Sequence, residues 1–125
     1  MGTTNDYFQR LIHQAMAKRI GSTIEMSDQL WRLLSRQLIA IIGEGGFNAL
    51  LARSISIMQS QFGWLADCDV RRSSESQLAD LKTSLEKYGG DQAGDISKLL
   101  LMTLVTNLAE LIGHQLTIGI LSASW

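Results

Sequence analysis

The chain of 125 residues is 46% hydrophobic and 18% charged, a composition that predicts one folded domain over residues 1–125 and argues against intrinsic disorder. Its net charge of −1 offers no basic surface for nucleic acid, and its single cysteine excludes an internal disulfide and indicates a reducing, cytoplasmic setting. It contains no proline, which favours long helices without interruption.

Two helices are predicted in the first third of the chain. Apolar residues recur at helical spacing over residues 4–19, and Gly21 then breaks the pattern. Ser27 is a residue type that caps helix N-termini, and Asp28 places a negative charge in the first turn, where the helix dipole favours it. We therefore expect the second helix to begin at Ser27 and to end at Gly43.

Three further helical segments are predicted after Gly43, and no segment alternates as a β-strand would. A helix is expected to start at Gly45-Gly46 and to carry an apolar stripe at helical spacing from Phe47 to Phe62, and Gly63 ends it. Residues 74–88 have a narrow apolar edge, which is typical of a solvated helix at the periphery of a fold. Residues 95–112 are apolar on most sides, which predicts a central position for this long C-terminal helix.

The segments around Gly43 and Gly113 are similar in sequence. In each, an apolar helical pattern runs up to a glycine and a second apolar run follows, and a glycine after a helix adopts a left-handed conformation at little cost. We interpret both as helix–Gly–helix units whose structural glycines have positive φ. The predicted fold is an all-α bundle of five or six helices, in which the two units pack with approximate twofold symmetry. Four positions are identical: Ile42 and Ile112, Gly43 and Gly113, Leu51 and Leu121, and Ser54 and Ser124.

A stripe of polar residues follows the last long helix: Thr103, Asn107, Glu110 and His114. If the helix continued through Gly113, their spacing would place them on one face, with Glu110 and His114 one turn apart. The stripe then has three interpretations. It is the solvated face of a helix, a polar surface that faces a partner, or an acid–base pair in which the carboxylate orients the imidazole.

Metal-dependent and thiol chemistry are not predicted, and no cofactor motif is present. One cysteine and two histidines are spread along the chain, without the close spacing that metal sites use. Cys68 lies between Asp67 and Asp69, and acidic neighbours should raise the pKa of a thiol rather than activate it. The glycine-rich segment 43–46 lacks the Lys-Ser/Thr of a phosphate-binding loop, so we expect it to form a tight corner between helices.

The segment after Gly113 is apolar and is predicted as a short helix or an extended tail. Between Leu99 and Trp125, Glu110 is the only residue with a formal charge, but polar residues interrupt the apolar runs, so a core helix is expected rather than a membrane span. An exposed tail would leave many apolar groups in water, so we expect a homodimer that buries them. The candidate interface residues are Leu116, Ile118, Ile120, Leu121 and Trp125.

These observations predict a non-catalytic interaction or regulatory module that forms a homodimer. An alternative is a small-ligand sensor that holds an apolar molecule between helices, in a pocket lined by Met58, Phe62 and Met102. A third possibility is an enzyme that uses Glu110 and His114. A cavity at the three apolar residues would favour the sensor, and a flat apolar surface would favour the dimer.

Two segments of the chain resemble a known family: Ile42-Gly43-Glu44-x-Gly46-Phe47-x-x-Leu50-Leu51-Ala52-Arg53 followed by Phe62-x-Trp64-Leu65, and Ile112-Gly113-x-x-Leu116-Thr117. They are similar to a small all-helical, uncharacterised bacterial domain family that accompanies signalling proteins. The resemblance implies bacterial origin, a regulatory or binding role and a protein partner in signalling, and it transfers no catalytic residue. The family has glutamate after the second Ile-Gly, where this chain has His114.

Overall fold

The computed structural model describes residues 4–65, 67–69 and 71–125, and this part of the chain contains α-helices and one 3-10 turn but no strand. The all-α fold predicted from the sequence is therefore confirmed. Two of its helices, α2 and α4, each pack against every other α-helix of the described chain. The helices are α1 (Thr4–Ala17), α2 (Thr23–Met58), α3 (Ser74–Tyr88), α4 (Ala93–Ile112) and α5 (His114–Ser124), with the 3-10 turn at Gly90–Gln92.

The start of α2 lies earlier than the sequence predicts. Ser22 is the N-cap, because its Oγ accepts a hydrogen bond from the Glu25 backbone N–H at 3.3 Å and the Glu25 carboxylate accepts one from the Ser22 N–H at 3.4 Å. This reciprocal capping box satisfies two backbone donors, one more than a single cap would. The prediction of an N-cap at Ser27 was wrong: Ser27 is fully buried, and its Oγ donates to Ser97 Oγ at 2.7 Å.

Two glycines turn the chain sharply. Gly43 has φ 81° and ψ 166° and divides α2 into a first arm, residues 23–42, and a second arm, residues 44–58. Gly113 has φ 94° and ψ 164° and separates α4 from α5. Both values lie in the region of positive φ that favours glycine, as expected for these positions. The chain after Gly113 forms a helix and not an extended tail.

The second arm of α2 ends at Met58, four residues before the expected end at Phe62. A turn follows, in which the Gln59 side-chain amide donates to the Leu65 carbonyl oxygen at 2.8 Å. This turn folds the chain back and buries the Leu65 side chain, which is 3% exposed. Tertiary packing therefore ends the helix before its apolar pattern stops.

The contacts of α4 define how the other helices run. Its first turn lies against the start of α2, where Gly94 faces Thr23 and Ser97 accepts from Ser27, so the first arm of α2 is parallel to α4. The second arm returns antiparallel along α4, with Asn107 bonded to Ser54. Helix α5 returns along the first arm of α2, and the Trp125 indole N–H donates to the Leu30 carbonyl at 3.1 Å.

Leucine side chains from several helices dominate the hydrophobic core. Its largest fully buried side chains come from α1, both arms of α2, α3 and α4, so each of these helices contributes to one apolar cluster. Fully burying such a side chain contributes about 1.5–3 kcal/mol to the free energy of unfolding. These residues are Trp31, Phe8, Phe47, Leu30, Leu34, Leu38, Leu51, Leu85, Leu100, Leu101, Leu104 and Leu108.

One helix of the described chain, α2, has the length and composition that a membrane crossing requires. Core helices of soluble proteins pass the same test, and 39% of the most apolar stretch of α2 is buried in this fold. The non-helical backbone at Gly43 also interrupts α2. Length and composition are therefore weak evidence for a span.

We expect alanine at either corner glycine to destabilise the protein. A Cβ at Gly43 or Gly113 would meet no atom within 4 Å, so the cost is that of placing an L-residue at positive φ, about 1 kcal/mol of unfolding free energy for each. Urea unfolding followed by circular dichroism measures the change.

Matched controls lie two residues after Gly43 and six residues after Gly113. Gly45 in α2 and Gly119 in α5 also have open space at the Cβ position, but both have helical backbone. Gly45→Ala and Gly119→Ala should therefore raise the unfolding free energy by up to about 1 kcal/mol. Equal changes in unfolding free energy at the corner glycines and at the helical glycines would contradict the proposed cost of positive φ.

Candidate functional site

The polar stripe of α4 faces the second arm of α2. The Asn107 side-chain amide donates to Ser54 Oγ at 3.1 Å, and both side chains are buried. One turn earlier, Thr103 Oγ1 lies 3.7 Å from the Met58 sulfur and also donates to the Leu99 carbonyl. A buried amide needs such a partner, because an unpaired one costs about 1–3 kcal/mol. This part of the stripe forms a polar contact within the chain.

Glu110 and His114 are not brought together. Because Gly113 breaks the helix, the one-turn relation between them is lost, and no hydrogen bond or ion pair joins them in the described chain. Glu110 instead lies 3.9 Å from Arg53, and both side chains are more than 60% exposed. The His114 ring stacks on Phe8 of α1, with centroids 5.1 Å apart and an angle of 30° between the planes. The geometry of an acid–base pair is absent.

The three predicted pocket residues do not line one cavity. Met58 is buried against Thr103, and the Phe62 ring packs 6.0 Å from the Trp64 ring. Met102 lines a different cleft, on the side of α4 that faces α1. Helical spacing correctly indicates apolar faces, but α2 ends at Met58, so Phe62 lies beyond the helix on which the predicted pocket depended.

A cleft of about 710 Å³ lies between α1 and α4, and we call it the α1–α4 cleft. Ile12, Leu99 and Met102 provide its apolar surface, and charged side chains surround them. Sequence reasoning missed this cleft, although Asp6, Arg10 and His13 follow one another at helical spacing along α1. The complete lining is Asp6, Gln9, Arg10, Ile12, His13, Asp95, Lys98, Leu99 and Met102.

Most of the candidate interface residues pack within the chain. Leu121 is 1% exposed, and Trp125 docks on the backbone of α2 through its indole N–H. Ile118 and Ile120 are partly buried against the core. Leu116 differs, because 64% of it is exposed. The packing of α5 onto the first arm of α2 therefore buries most of the apolar residues that the sequence analysis placed in a dimer interface.

A group of exposed apolar side chains does lie at the corner end of the bundle. Ser27 precedes Gly43 by 16 residues and Ser97 precedes Gly113 by 16 residues, and these two serines are in contact. The helical segments that lead from Ser27 to Gly43 and from Ser97 to Gly113 run parallel. Each corner therefore lies about 24 Å along the bundle from the contact between the two serines, and both corners are at the same end. We call the exposed residues beside them the corner surface: Ile41 (58% exposed), Leu111 (66%) and Leu116 (64%).

Glu44 follows the first corner glycine and holds α3. Its carboxylate accepts hydrogen bonds from the Ser74 backbone N–H at 3.3 Å and the Ser74 hydroxyl at 3.0 Å. A negative charge at a helix N-terminus is stabilising, because the backbone donors of the first turn have no partner within the helix. The glutamate after the first Ile-Gly therefore has a structural role, and His114 takes up a different contact at the second.

Cys68 has the features of an unreactive thiol. Burial raises the pKa of the thiol, Asp69 raises it further, and Arg72 opposes them. The predicted rise in the pKa of the Cys68 thiol is confirmed, although burial contributes more to it than the acidic neighbour Asp69. In the part of the chain that the structure describes, no group of three His, Cys, Asp or Glu side chains could hold a metal ion.

Comparison of the chain with protein-family models, with curated proteins and with solved structures found no match.

Within the polar stripe, substitution of the buried Asn107 should change the unfolding free energy much more than substitution of the exposed Glu110. Asn107→Ala should lower the unfolding free energy by about 2 kcal/mol, because it removes a buried hydrogen bond and leaves a cavity. Glu110→Gln should change it by less than about 0.5 kcal/mol, because the exposed ion pair with Arg53 is solvated. Urea titration of both variants checks this; a Glu110 effect as large as that of Asn107 would contradict it.

The Cys68 thiol should react slowly with Ellman's reagent at pH 8. A raised pKa means that less thiolate is present at any pH below it, so the reaction should accelerate only at higher pH than that of a free thiol. Unfolding in urea should raise the rate by at least about tenfold. Asp69→Asn should raise it less, because burial is the larger cause. A rate in the native protein equal to that of glutathione would contradict this.

Proposed function

We propose that this chain is a non-catalytic helical interaction module that forms a homodimer through the corner surface. The observation that carries the proposal is the exposure of three large apolar side chains, Ile41, Leu111 and Leu116, at one end of the bundle. Exposed apolar groups that lie together typically mark a contact surface. A regulatory role in signalling, with a further protein partner, follows from the resemblance described above.

The proposal includes the symmetry of the two helix–Gly–helix units. Each unit has a long arm before its glycine and a short arm after it, and each short arm packs antiparallel on the long arm of the other unit. The glycines have nearly the same backbone angles, φ 81° and 94° with ψ 166° and 164°. We infer an approximate twofold axis between the parallel long arms, which places α4 centrally.

Charge also favours contact between two copies of this surface. An interface on a twofold axis brings the same patch of both subunits together, so an uncompensated charge would face its own copy. Here the two nearest carboxylates have partners: Glu44 accepts from Ser74, and Glu110 pairs with Arg53. The N-terminus of α3 and the Arg53 side chain therefore reduce the like-charge repulsion between the two copies.

The alternatives have less support from geometry. An enzyme that uses Glu110 and His114 would need the two side chains at one site, and His114 instead stacks on Phe8. A sensor would need a cavity, and Met58 and Phe62 do not border the large one. The α1–α4 cleft is the cavity on which a ligand-binding role can rest.

Sedimentation equilibrium at micromolar concentration should give about twice the monomer mass of 13.8 kDa. The double variant Leu111→Glu/Leu116→Glu should sediment as a folded monomer, because four carboxylates would face each other across the interface. A stable dimer should bury upwards of about 1,000 Å².

Ile57→Glu is the matched control. Ile57 is 49% exposed and lies 14 residues beyond Gly43, about 20 Å from the corner surface, so the variant should remain a dimer. Circular dichroism confirms that each variant is folded. A wild-type monomer at all concentrations would overturn the proposal, as would equal effects of the corner and control variants.

A further inference from the structure

The α1–α4 cleft borders residues 95–102 of α4 and includes no residue of the corner surface, so it has no role in the proposed dimer. Its volume of about 710 Å³ is within the range of about 300–1,000 Å³ that is typical of small-molecule sites. A second cleft continues past its end, and the two share His13 and Lys98. The groove between α1 and the first half of α4 therefore extends over both clefts.

The floor of the cleft is apolar. Ile12 is 2% exposed and joins the floor to the core, while Leu99 is 43% exposed and Met102 is partly buried. A large exposed leucine beside a methionine can contact an alkyl chain, and the flexible thioether adapts to different shapes. The floor favours a hydrocarbon chain over a polar ligand.

The rim of the cleft offers two cationic side chains to an anionic head group. Arg10 and Lys98 line it, and neither forms an ion pair in the described chain, although the Arg10 guanidinium also lies 6.0 Å from the centre of the Tyr7 ring. Two carboxylates line the rim as well, so its formal charges balance: Asp95 lies in the first turn of α4, where the helix dipole stabilises it, and Asp6 has an interaction partner. Arg10 and Lys98 are therefore the groups at the rim that can pair with an anion.

We propose that the α1–α4 cleft binds a monomeric, single-chain amphiphile with a carboxylate head group, such as a medium-chain fatty acid. The carboxylate contacts Arg10 and Lys98, whose N–H groups donate to its oxygens. The alkyl chain lies on Leu99 and Met102 and excludes water from them. This site is independent of the proposed dimer, because none of its residues belongs to the corner surface.

Isothermal titration of the intact protein with sodium decanoate, below its micelle concentration, tests the proposal. We expect saturable binding at one site per chain, with NMR amide shifts confined to α1 and residues 95–102. Three probes separate the contributions: decanol has the chain without the charge, propionate has the charge without the chain, and decyltrimethylammonium reverses the charge. Each should bind at least about tenfold more weakly than decanoate.

Variants test the named residues, and circular dichroism shows that each is folded. Lys98→Met keeps an unbranched side chain and removes the charge, so decanoate affinity should fall about tenfold. Leu99→Glu places a carboxylate on the exposed floor and should abolish binding. The matched control is Lys87→Met on α3, an exposed lysine outside the cleft, and it should bind decanoate as the wild type does.

Several results would overturn the inference. Equal affinities for decanoate and decanol would show that Arg10 and Lys98 do not contribute to ligand binding. Unchanged binding by Lys98→Met and Leu99→Glu would place the ligand elsewhere, and the absence of decanoate binding would reject the site. Binding to anionic lipid vesicles without binding of free decanoate would replace the ligand site with a membrane-facing surface. Sedimentation of the same samples reports the dimer separately, so the two proposals fail independently.

Discussion

The left-handed backbone at Gly43 and Gly113 is the constraint on which the rest of the structure depends. With φ of 81° and 94°, neither position can continue an α-helix, so each long helix ends there and the chain reverses. An L-residue with a side chain would resist this conformation, whereas glycine adopts it without a steric cost. The reversals place the second arm of α2 along α4 and α5 along the first arm of α2, which closes the core.

A close contact between α2 and α4 fixes the axial register of these two helices, so that Gly43 and Gly113 lie at the same height of the bundle. A Cβ on Gly94 would lie 2.4 Å from Thr23, so this glycine allows the helix starts to approach closely. Beside it, the Ser97 hydroxyl accepts hydrogen bonds from Ser27 at 2.7 Å and from the Trp31 indole at 3.1 Å. These buried groups have few alternative partners, so sliding one helix past the other would leave them unsatisfied. The helices therefore keep their register, and the corner surface forms at one end.

The same corner that closes the fold separates the residues that looked most like a catalytic pair. Glu110 belongs to α4 and pairs with an exposed arginine of α2, while His114 belongs to α5 and stacks on α1. The two binding roles that we propose therefore use different parts of the molecule. The corner surface is apolar and neutral, which suits a second copy, and the α1–α4 cleft combines an apolar floor with cationic groups, which suits an amphiphile.

The sequence by itself determined the all-α class and the helix-ending glycines at positions 43 and 113, because helical periodicity and backbone sterics are local properties. The acidic neighbours of Cys68 predicted the direction of the thiol pKa, but burial, which is the larger cause, depends on the tertiary structure. Tertiary structure decided what each apolar and polar face contacts. The stripe residue Asn107 meets Ser54 across 53 positions of the chain, and Trp125 docks on Leu30, 95 positions away. Periodicity identifies a face but not its neighbour. The early start of α2 was readable in the Ser22–Glu25 capping box, whereas the α1–α4 cleft depends on how two distant helices pack.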